Sequence, residues 1–418
     1  MIYNNILTKI SQQMVEKNQF YNDYRDNTLT SGIPSKLILL SEMEKNYSSY
    51  DYSIKCDEYI KRLINSLESY GIANFSMYTG TSGIGMSICS VSKNGEYLSL
   101  SQSINELLIS QLDDFFSKID INDLKIIDYD LISGISGVIP YLIIWKDNIV
   151  LREYLYKCLN FLIDAVLGEK IVDGKERMNL FITSENQMTR EEGILVPKGA
   201  INTSLSHGIA GVGVVLSICY LNGIIVEDHE KAIEKIKDIY LRYMKQDDDK
   251  IYWSNNLTPE ILDENIGDKN DFIRDAWCYG VPGISLFFLY AGEALKSRDI
   301  KDFAVCLIKN SFEDVRFIYS PILCHGYAGL LEISKIFYKH TNDDYFKESS
   351  NKFKNKVLSY FDYSHKYGFK NYEYVSGELV ESDEFTFLDG ALGICLSLLS
   401  EKDILKKTDL WKEILLLY

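Results

Sequence analysis

The sequence predicts an all-α protein of seven helical hairpins, with a few short strands inserted between them. Three observations carry this. A pair of glycines spaced by two residues recurs, at Gly80-Thr81-Ser82-Gly83, Gly134-Ile135-Ser136-Gly137, Gly208-Ile209-Ala210-Gly211, Gly280-Val281-Pro282-Gly283, Gly326-Tyr327-Ala328-Gly329 and Gly390-Ala391-Leu392-Gly393. A degenerate copy, Gly32-Ile33-Pro34-Ser35, precedes them with Ser in place of the second glycine. Each copy is followed by an apolar stretch and preceded by an amphipathic one, the signature of a helical repeat.

The stretches before the glycines, such as Cys56–Leu67 and Glu230–Tyr243, have one apolar face and suit outer helices. Those after them, such as Val212–Tyr220 and Ile284–Tyr290, are apolar nearly all round and suit buried inner helices. Glycine at each turn permits unusual backbone angles and close approach of neighbouring chains. The copies start at 32, 80, 134, 208, 280, 326 and 390, giving spacings of 48, 54, 74, 72, 46 and 64. Two of these are roughly 20 residues too long for one hairpin of helices. The surplus falls in inserts at 168–203 and 247–274. There Met178–Thr183 reads as a short strand, and Ile251-Tyr252-Trp253 lies between acidic, turn-rich stretches. The inserts flank the repeat containing His207 and would form a lobe beside it. No low-complexity linker divides the chain, so residues 1–418 read as one domain. Stacked hairpins form either an open solenoid or a ring. A ring would gather all the turns at one end, and periodicity does not decide between the two.

Composition narrows the function classes. The chain has 418 residues, is 46% hydrophobic and carries a formal charge of −16. Nucleic-acid binding needs a basic face and is not expected. An acidic surface would suit a cationic peptide partner, or simply keep the protein in solution. The start, Met1-Ile2-Tyr3-Asn4-Asn5, lacks a basic n-region and apolar core, so no signal peptide is expected. No apolar run approaches the ~20 residues of a membrane span. The eight cysteines are scattered with no CxxC pair, which points to reduced thiols in a cytoplasmic protein. Cys219, Cys306 and Cys395 sit in helical runs and read as core packing.

Two short runs carry chemistry. Trp277-Cys278-Tyr279-Gly280 and Cys324-His325-Gly326 put two thiols and one imidazole beside the fifth and sixth turns. Two Cys and one His form a zinc ligand set that leaves a fourth position open, as a catalytic metal requires. Each residue alone reads more simply as core cysteine or satisfied histidine. Convergence of all three would make the chain a zinc enzyme able to activate a thiol.

The ordered set of motifs resembles the lanthionine synthetase C-like family, specifically the stand-alone cyclases of lantibiotic biosynthesis. The resemblance spans almost the whole chain. It rests on the seven repeats, Arg274-Asp275-Ala276-Trp277-Cys278-Tyr279-Gly280, Cys324-His325-Gly326-Tyr327-Ala328-Gly329 and Ser206-His207-Gly208-Ile209-Ala210-Gly211. Asp128-Tyr129-Asp130-Leu131-Ile132-Ser133-Gly134 and Ser184-Glu185-Asn186-Gln187-Met188 also match. The visible departures are Ser35 and Val281-Pro282, neither at a proposed ligand.

The resemblance implies a seven-fold α/α toroid with a small SH2-like lobe. It implies one zinc ion held by Cys278, Cys324 and His325. It also implies a reaction in which a Cys of a dehydrated lantibiotic precursor peptide adds to dehydroalanine or dehydrobutyrine, closing a lanthionine or methyllanthionine ring. His207 is the candidate acid/base because imidazole titrates near neutral pH. Asp130, rather than Asp128, matches the residue that orients it. Arg274 is a candidate for stabilising the enolate or holding a carboxylate, and Tyr279 for lining the pocket or donating a hydrogen bond. A dehydratase and an ABC transporter in a membrane-associated complex are plausible partners. His229, His340 and His365 read as lying in polar surroundings away from the turns. Two rival readings are a toroid-fold glycosidase, which would need paired carboxylates, and a module that binds peptide or glutathione without cyclising.

Overall fold

The computed structural model describes residues 20–46, 52–93, 95–247, 250–264, 274–375, 377–400 and 409–418. The chain start and residues 248–249 and 265–273 of the second expected insert lie outside the described residues. A helix begins at each of the seven turns: Ile33–Asn46, Thr81–Val91, Ile135–Ile144, Ile209–Leu221, Val281–Ala294, Tyr327–Thr341 and Ala391–Leu399. These are the buried helices. Between them run long amphipathic helices, Ser53–Tyr70, Leu98–Lys118, Ile149–Leu167, His229–Arg242, Arg298–Glu313 and Asp344–Ser359. Several start at side-chain caps: Asn148 accepts from the Leu151 N–H, Ser297 from Ile300 and Asp343 from Tyr345. None of the helices of the described residues is long and apolar enough to cross a membrane.

The repeated glycines are required by close approach. Gly80, Gly134, Gly208, Gly326 and Gly390 have extended backbones that any residue can adopt. A methyl group on Gly83, Gly211, Gly283 or Gly393 would strike the backbone carbonyl six residues earlier: Met77, Leu205, Trp277 and Phe387 respectively. The same four face the leucine of the preceding turn, respectively Leu29, Leu131, Leu205 and Leu323. Backbone cannot yield as a side-chain tip can, so Gly211→Ala is expected to cost about 1–3 kcal/mol through overpacking. Urea unfolding followed by circular dichroism would measure it, and an unchanged midpoint would contradict the account. In the first turn Ser35 replaces the second glycine, and its Oγ donates to the Gly32 carbonyl at 2.9 Å.

The structure divides into two compact units, Ile109–Phe317 and a discontinuous one made of Met1–Leu108 and Ile318–Tyr418. Within the first, turns three, four and five follow one another. Leu131 N–H donates to the Ser206 carbonyl at 3.0 Å, and Leu205 N–H to that of Cys278 at 3.0 Å. Within the second, Cys324 N–H donates to Leu388, Phe387 to Thr30 and Thr30 to Tyr78, at 3.1, 2.8 and 3.1 Å. Its turns therefore run six, seven, one, two. The last repeat in sequence is bonded to the first, which makes this unit discontinuous in sequence.

A buried ion network secures the end of this second unit. Glu332 and Lys335, almost fully buried, meet at 2.6 Å, and Lys412 reaches Glu332 at 3.3 Å. Burial alone would raise the Glu332 carboxyl, but Lys335 and Lys412 hold it below its ordinary range. Ser397 donates to Glu332 at 2.7 Å, so the carboxylate joins the helices Tyr327–Thr341, Ala391–Leu399 and Leu410–Glu413.

The strands correct one expectation. Met178–Thr183 is not a strand; a hairpin of Glu169–Val172 and Lys175–Met178 precedes it, and Ile182 forms only an isolated bridge with Ala200. The signal was Asp173-Gly174, both at positive φ (51° and 75°), the geometry of a two-residue hairpin turn. The inserts do join: Ile201 pairs with Leu257 and Asn202 with Asn256, and Arg177 makes a bidentate contact with Asp263. A further hairpin, Asn371–Val375 with Glu378–Ser382, lies between turns six and seven where no strand was expected.

Two more expectations are corrected. Cys219 and Cys395 are fully buried and their thiols pushed up by burial, but Cys306 is exposed, on the solvent face of its amphipathic helix. His229 is not in polar surroundings. It is 1% exposed, donates from Nε2 to the Leu216 carbonyl at 2.8 Å, and burial lowers its pKa.

Candidate metal centre

Turn five is held from both sides. Asp275, fully buried, grips the Arg316 guanidinium through two contacts of 2.9 Å and accepts from the Arg316 N–H at 3.1 Å. The Ala276 N–H closes on the Tyr279 carbonyl at 2.9 Å. Gly280 has φ +90°, alone among the first glycines of the repeats, and the Arg274 carbonyl occupies the place of its missing Cβ. Only glycine satisfies both demands. The Cys278 carbonyl accepts from the N–H groups of Leu205 and Ser206 at 3.0 and 3.2 Å and from Ser206 Oγ at 3.3 Å. Three donors on one carbonyl leave the Cys278 backbone little freedom, so its thiol is presented in a fixed direction.

Cys278, Cys324 and His325 form a group whose ligand atoms all lie within 4.8 Å of one another. Cys278 is buried; Cys324 and His325 are half-buried. Two soft thiols and an imidazole at this spacing fit zinc, and as thiolates they would balance its charge. The donor set leaves room for a fourth ligand. Two carboxylates flank the imidazole outside the ligand group: Glu373 Oε2 lies 3.6 Å from Nε2, and Asp389 Oδ1 lies 3.9 Å from Nδ1.

Turns three and four supply a second cluster. Asp130 is fully buried in its side chain. Its Oδ1 accepts from the N–H groups of Ser133 and Gly134 at 2.7 and 2.8 Å, and its Oδ2 meets His207 Nδ1 at 2.6 Å. The turn thus aims the carboxylate, and the carboxylate aims the imidazole. A carboxylate on Nδ1 keeps the proton there and leaves Nε2 to exchange protons. The His207 N–H is tied to Ser204 Oγ at 3.0 Å, and the imidazole is 19% exposed, enough to meet a substrate. The rings of His207 and Tyr279 are 6.3 Å apart. Asn202 donates to the Tyr279 hydroxyl at 3.2 Å, and burial pushes that hydroxyl up to about 12, so it keeps its proton at neutral pH. Asn202 stands in the strand pair that joins the two inserts, which places that lobe against turn five. Arg274 is half-buried at the start of turn five. Asp128 instead closes its own helix start, accepting from the Lys125 N–H at 2.7 Å.

Of the residues singled out in the sequence, the structure groups Cys278, Cys324 and His325, and pairs His207 with Asp130 in a second cluster beside Tyr279. Asn202, Asp275, Glu373 and Asp389, which the sequence did not single out, contact these residues or their turns. A signal for Asp389 was present. His207, Tyr279, His325 and Asp389 each directly precede the first glycine of a turn.

The chain matches the family model for lanthionine synthetase C-like proteins over residues 23–416. It is 30% identical over 408 residues to the nisin biosynthesis protein NisC of Lactococcus lactis subsp. lactis, covering 97% of this chain and 92% of that protein. Among solved structures it resembles nisin cyclase with a TM-score of 0.83 and 29% identity, covering 100% of this chain and 97% of that one. That likeness bears out the expected fold class, the mostly helical seven-repeat α/α toroid.

Proposed function

The chain belongs to the lanthionine synthetase C-like family, and from that premise we propose that it is a zinc-dependent lantibiotic cyclase. The observation that carries this reading is the grouping of Cys278, Cys324 and His325. The substrate is a precursor peptide with free Cys thiols and dehydrated Ser or Thr residues, and the site of action is the cytoplasm. A dehydratase and an ABC transporter are its proposed partners in a membrane-associated complex.

Cys278, Cys324 and His325 would hold the zinc ion, which when bound would supply Lewis-acid stabilisation of a thiolate near neutral pH. In the reaction the sulfur bonds to Cβ of dehydroalanine or dehydrobutyrine, and the double-bond pair moves to Cα and its carbonyl as an enolate. His207 delivers a proton to Cα from Nε2, with Asp130 holding its other nitrogen. One proton leaves the thiol and one arrives at Cα, so ring closure changes no mass and needs no co-reactant. Tyr279 offers a hydroxyl that stays protonated, and Arg274 a cation, for the charge that develops on the enolate.

The test uses the purified protein, zinc and a dehydrated, Cys-containing precursor peptide. Alkylation of residual thiols followed by mass spectrometry should show one fewer alkylated Cys per ring. Full alkylation after prolonged incubation would remove the cyclase reading. Retention of bound but unmodified peptide would favour the binding module instead.

A further inference from the structure

We propose that the 371–382 hairpin is a positioning device for the metal site, and that Glu373 is its working residue, orienting the His325 imidazole. The inference rests on the metal-site reading above.

The hairpin is built onto turn six. Ser320 Oγ donates to Asn371 Oδ1 at 2.8 Å and accepts from the Tyr372 N–H at 3.3 Å. The Tyr374 ring packs edge-on against Tyr319, centroids 4.8 Å apart, and Tyr372 lies tilted against Tyr360 at 5.6 Å. Side chains alternate along a strand, so fixing Tyr372 and Tyr374 also fixes the direction of Glu373 between them. That residue places Oε2 3.6 Å from His325 Nε2. The strand around it faces outward: Tyr374, Val375, Leu379 and Val380 are about half exposed. The anchoring on Ser320, Tyr319 and Tyr360 sets this register, and the register turns Glu373 toward His325.

A carboxylate facing Nε2 favours the tautomer that carries its proton there, which keeps the Nδ1 lone pair available. It also fixes the ring plane and raises ligand basicity. Asp389 lies opposite Nδ1, but it is farther away and more exposed, 49% against 38%. Glu373 is thus a positioning residue that acts through His325.

The experiment compares wild type, Glu373→Ala, Glu373→Gln, Asp389→Asn and Cys324→Ala. Zinc affinity is measured by competition with a chromophoric chelator, and the ligand field by the visible spectrum of the cobalt(II)-loaded protein. Glu373→Ala should weaken zinc about 10–100-fold, shift the cobalt bands and keep one site per chain at saturation. Glu373→Gln retains an oxygen acceptor and should fall between Ala and wild type. Should Glu373→Ala lose its helical circular dichroism, the Gln variant decides alone. Wild-type affinity and unshifted cobalt bands in the Glu373 variants would overturn the proposal, as would an effect confined to Asp389→Asn. If Cys324→Ala also binds zinc as wild type does, the metal-site reading itself fails, a result separable from failure of Glu373 alone.

Discussion

Cys324→Ala is expected to bring bound zinc from about one ion per chain to nearly none. Catalytic zinc needs three protein ligands, and removal of one of only three leaves a pair that cannot hold the ion against dilution. The expected loss is total because nothing else in the ligand group replaces the thiol: Glu373 and Asp389 lie outside it. Elemental analysis after exhaustive dialysis measures the stoichiometry. A second readout does not depend on activity. A ligand that binds only the folded state raises stability, so a chelator should lower the melting temperature of wild type and leave that of Cys324→Ala unmoved. Undiminished zinc in the variant, with equal chelator sensitivity, would end the ligand assignment. Cys278→Ala should behave alike in metal content. It should also disturb the fold little, because the substitution keeps the Cys278 carbonyl that accepts from Leu205 and Ser206 and leaves the Asp275–Arg316 clamp untouched.

His207→Ala should retain zinc and lose ring closure by about 10²–10⁴-fold, the range that general acid–base catalysis supplies. The reasoning is geometric. Asp130 is fully buried, is held by two backbone N–H groups and spends its second oxygen on His207 Nδ1. A merely structural histidine capping the turn would not need an aimed carboxylate and an accessible ring. Single-turnover assays on a dehydrated peptide, read by mass spectrometry after thiol alkylation, separate binding from chemistry. Cyclisation at the wild-type rate would make His207 structural. Asp130→Asn should lower the rate less than loss of the imidazole, because the amide can still hold Nδ1 but removes the negative charge beside it.

Much of this architecture was legible without coordinates. The glycine pairs, the apolar runs after them and the amphipathic runs before them predict the buried and outer helices to within a few residues. Val212–Tyr220 lies inside the helix Ile209–Leu221, and Cys56–Leu67 inside Ser53–Tyr70. Helix periodicity is a local property, so the order of side chains records it. The thiols and imidazoles were legible because few residue types can bind zinc or move a proton near neutral pH.

What stayed hidden depends on distance in space. Glu373 is an ordinary acidic residue in a chain with 60 of them. Its meaning comes from a hairpin that Ser320 and Tyr319 anchor beside turn six. Asp275 looked like part of a motif, and the fold shows it as the clamp on Arg316. The strand expected at Met178–Thr183 was misplaced because two- to five-residue pairings carry almost no periodic signal, and the turn dipeptide Asp173-Gly174 was the better marker; Ile251-Tyr252 does lie in a strand, Lys250–Tyr252. The glycines were expected partly for their backbone freedom, yet of the repeat glycines only Gly280 has a positive φ; Gly83, Gly211, Gly283 and Gly393 make room for a carbonyl six residues away.

By itself, then, the sequence determined the repeat, the helical class and the chemical types available at each turn, because these are set by local pattern and side-chain identity. Tertiary structure decided which turns are bonded to one another, that the last repeat meets the first, and which carboxylate faces which imidazole. Those are decided by backbone hydrogen bonds and close packing between segments far apart in the chain, whose partners no local pattern encodes.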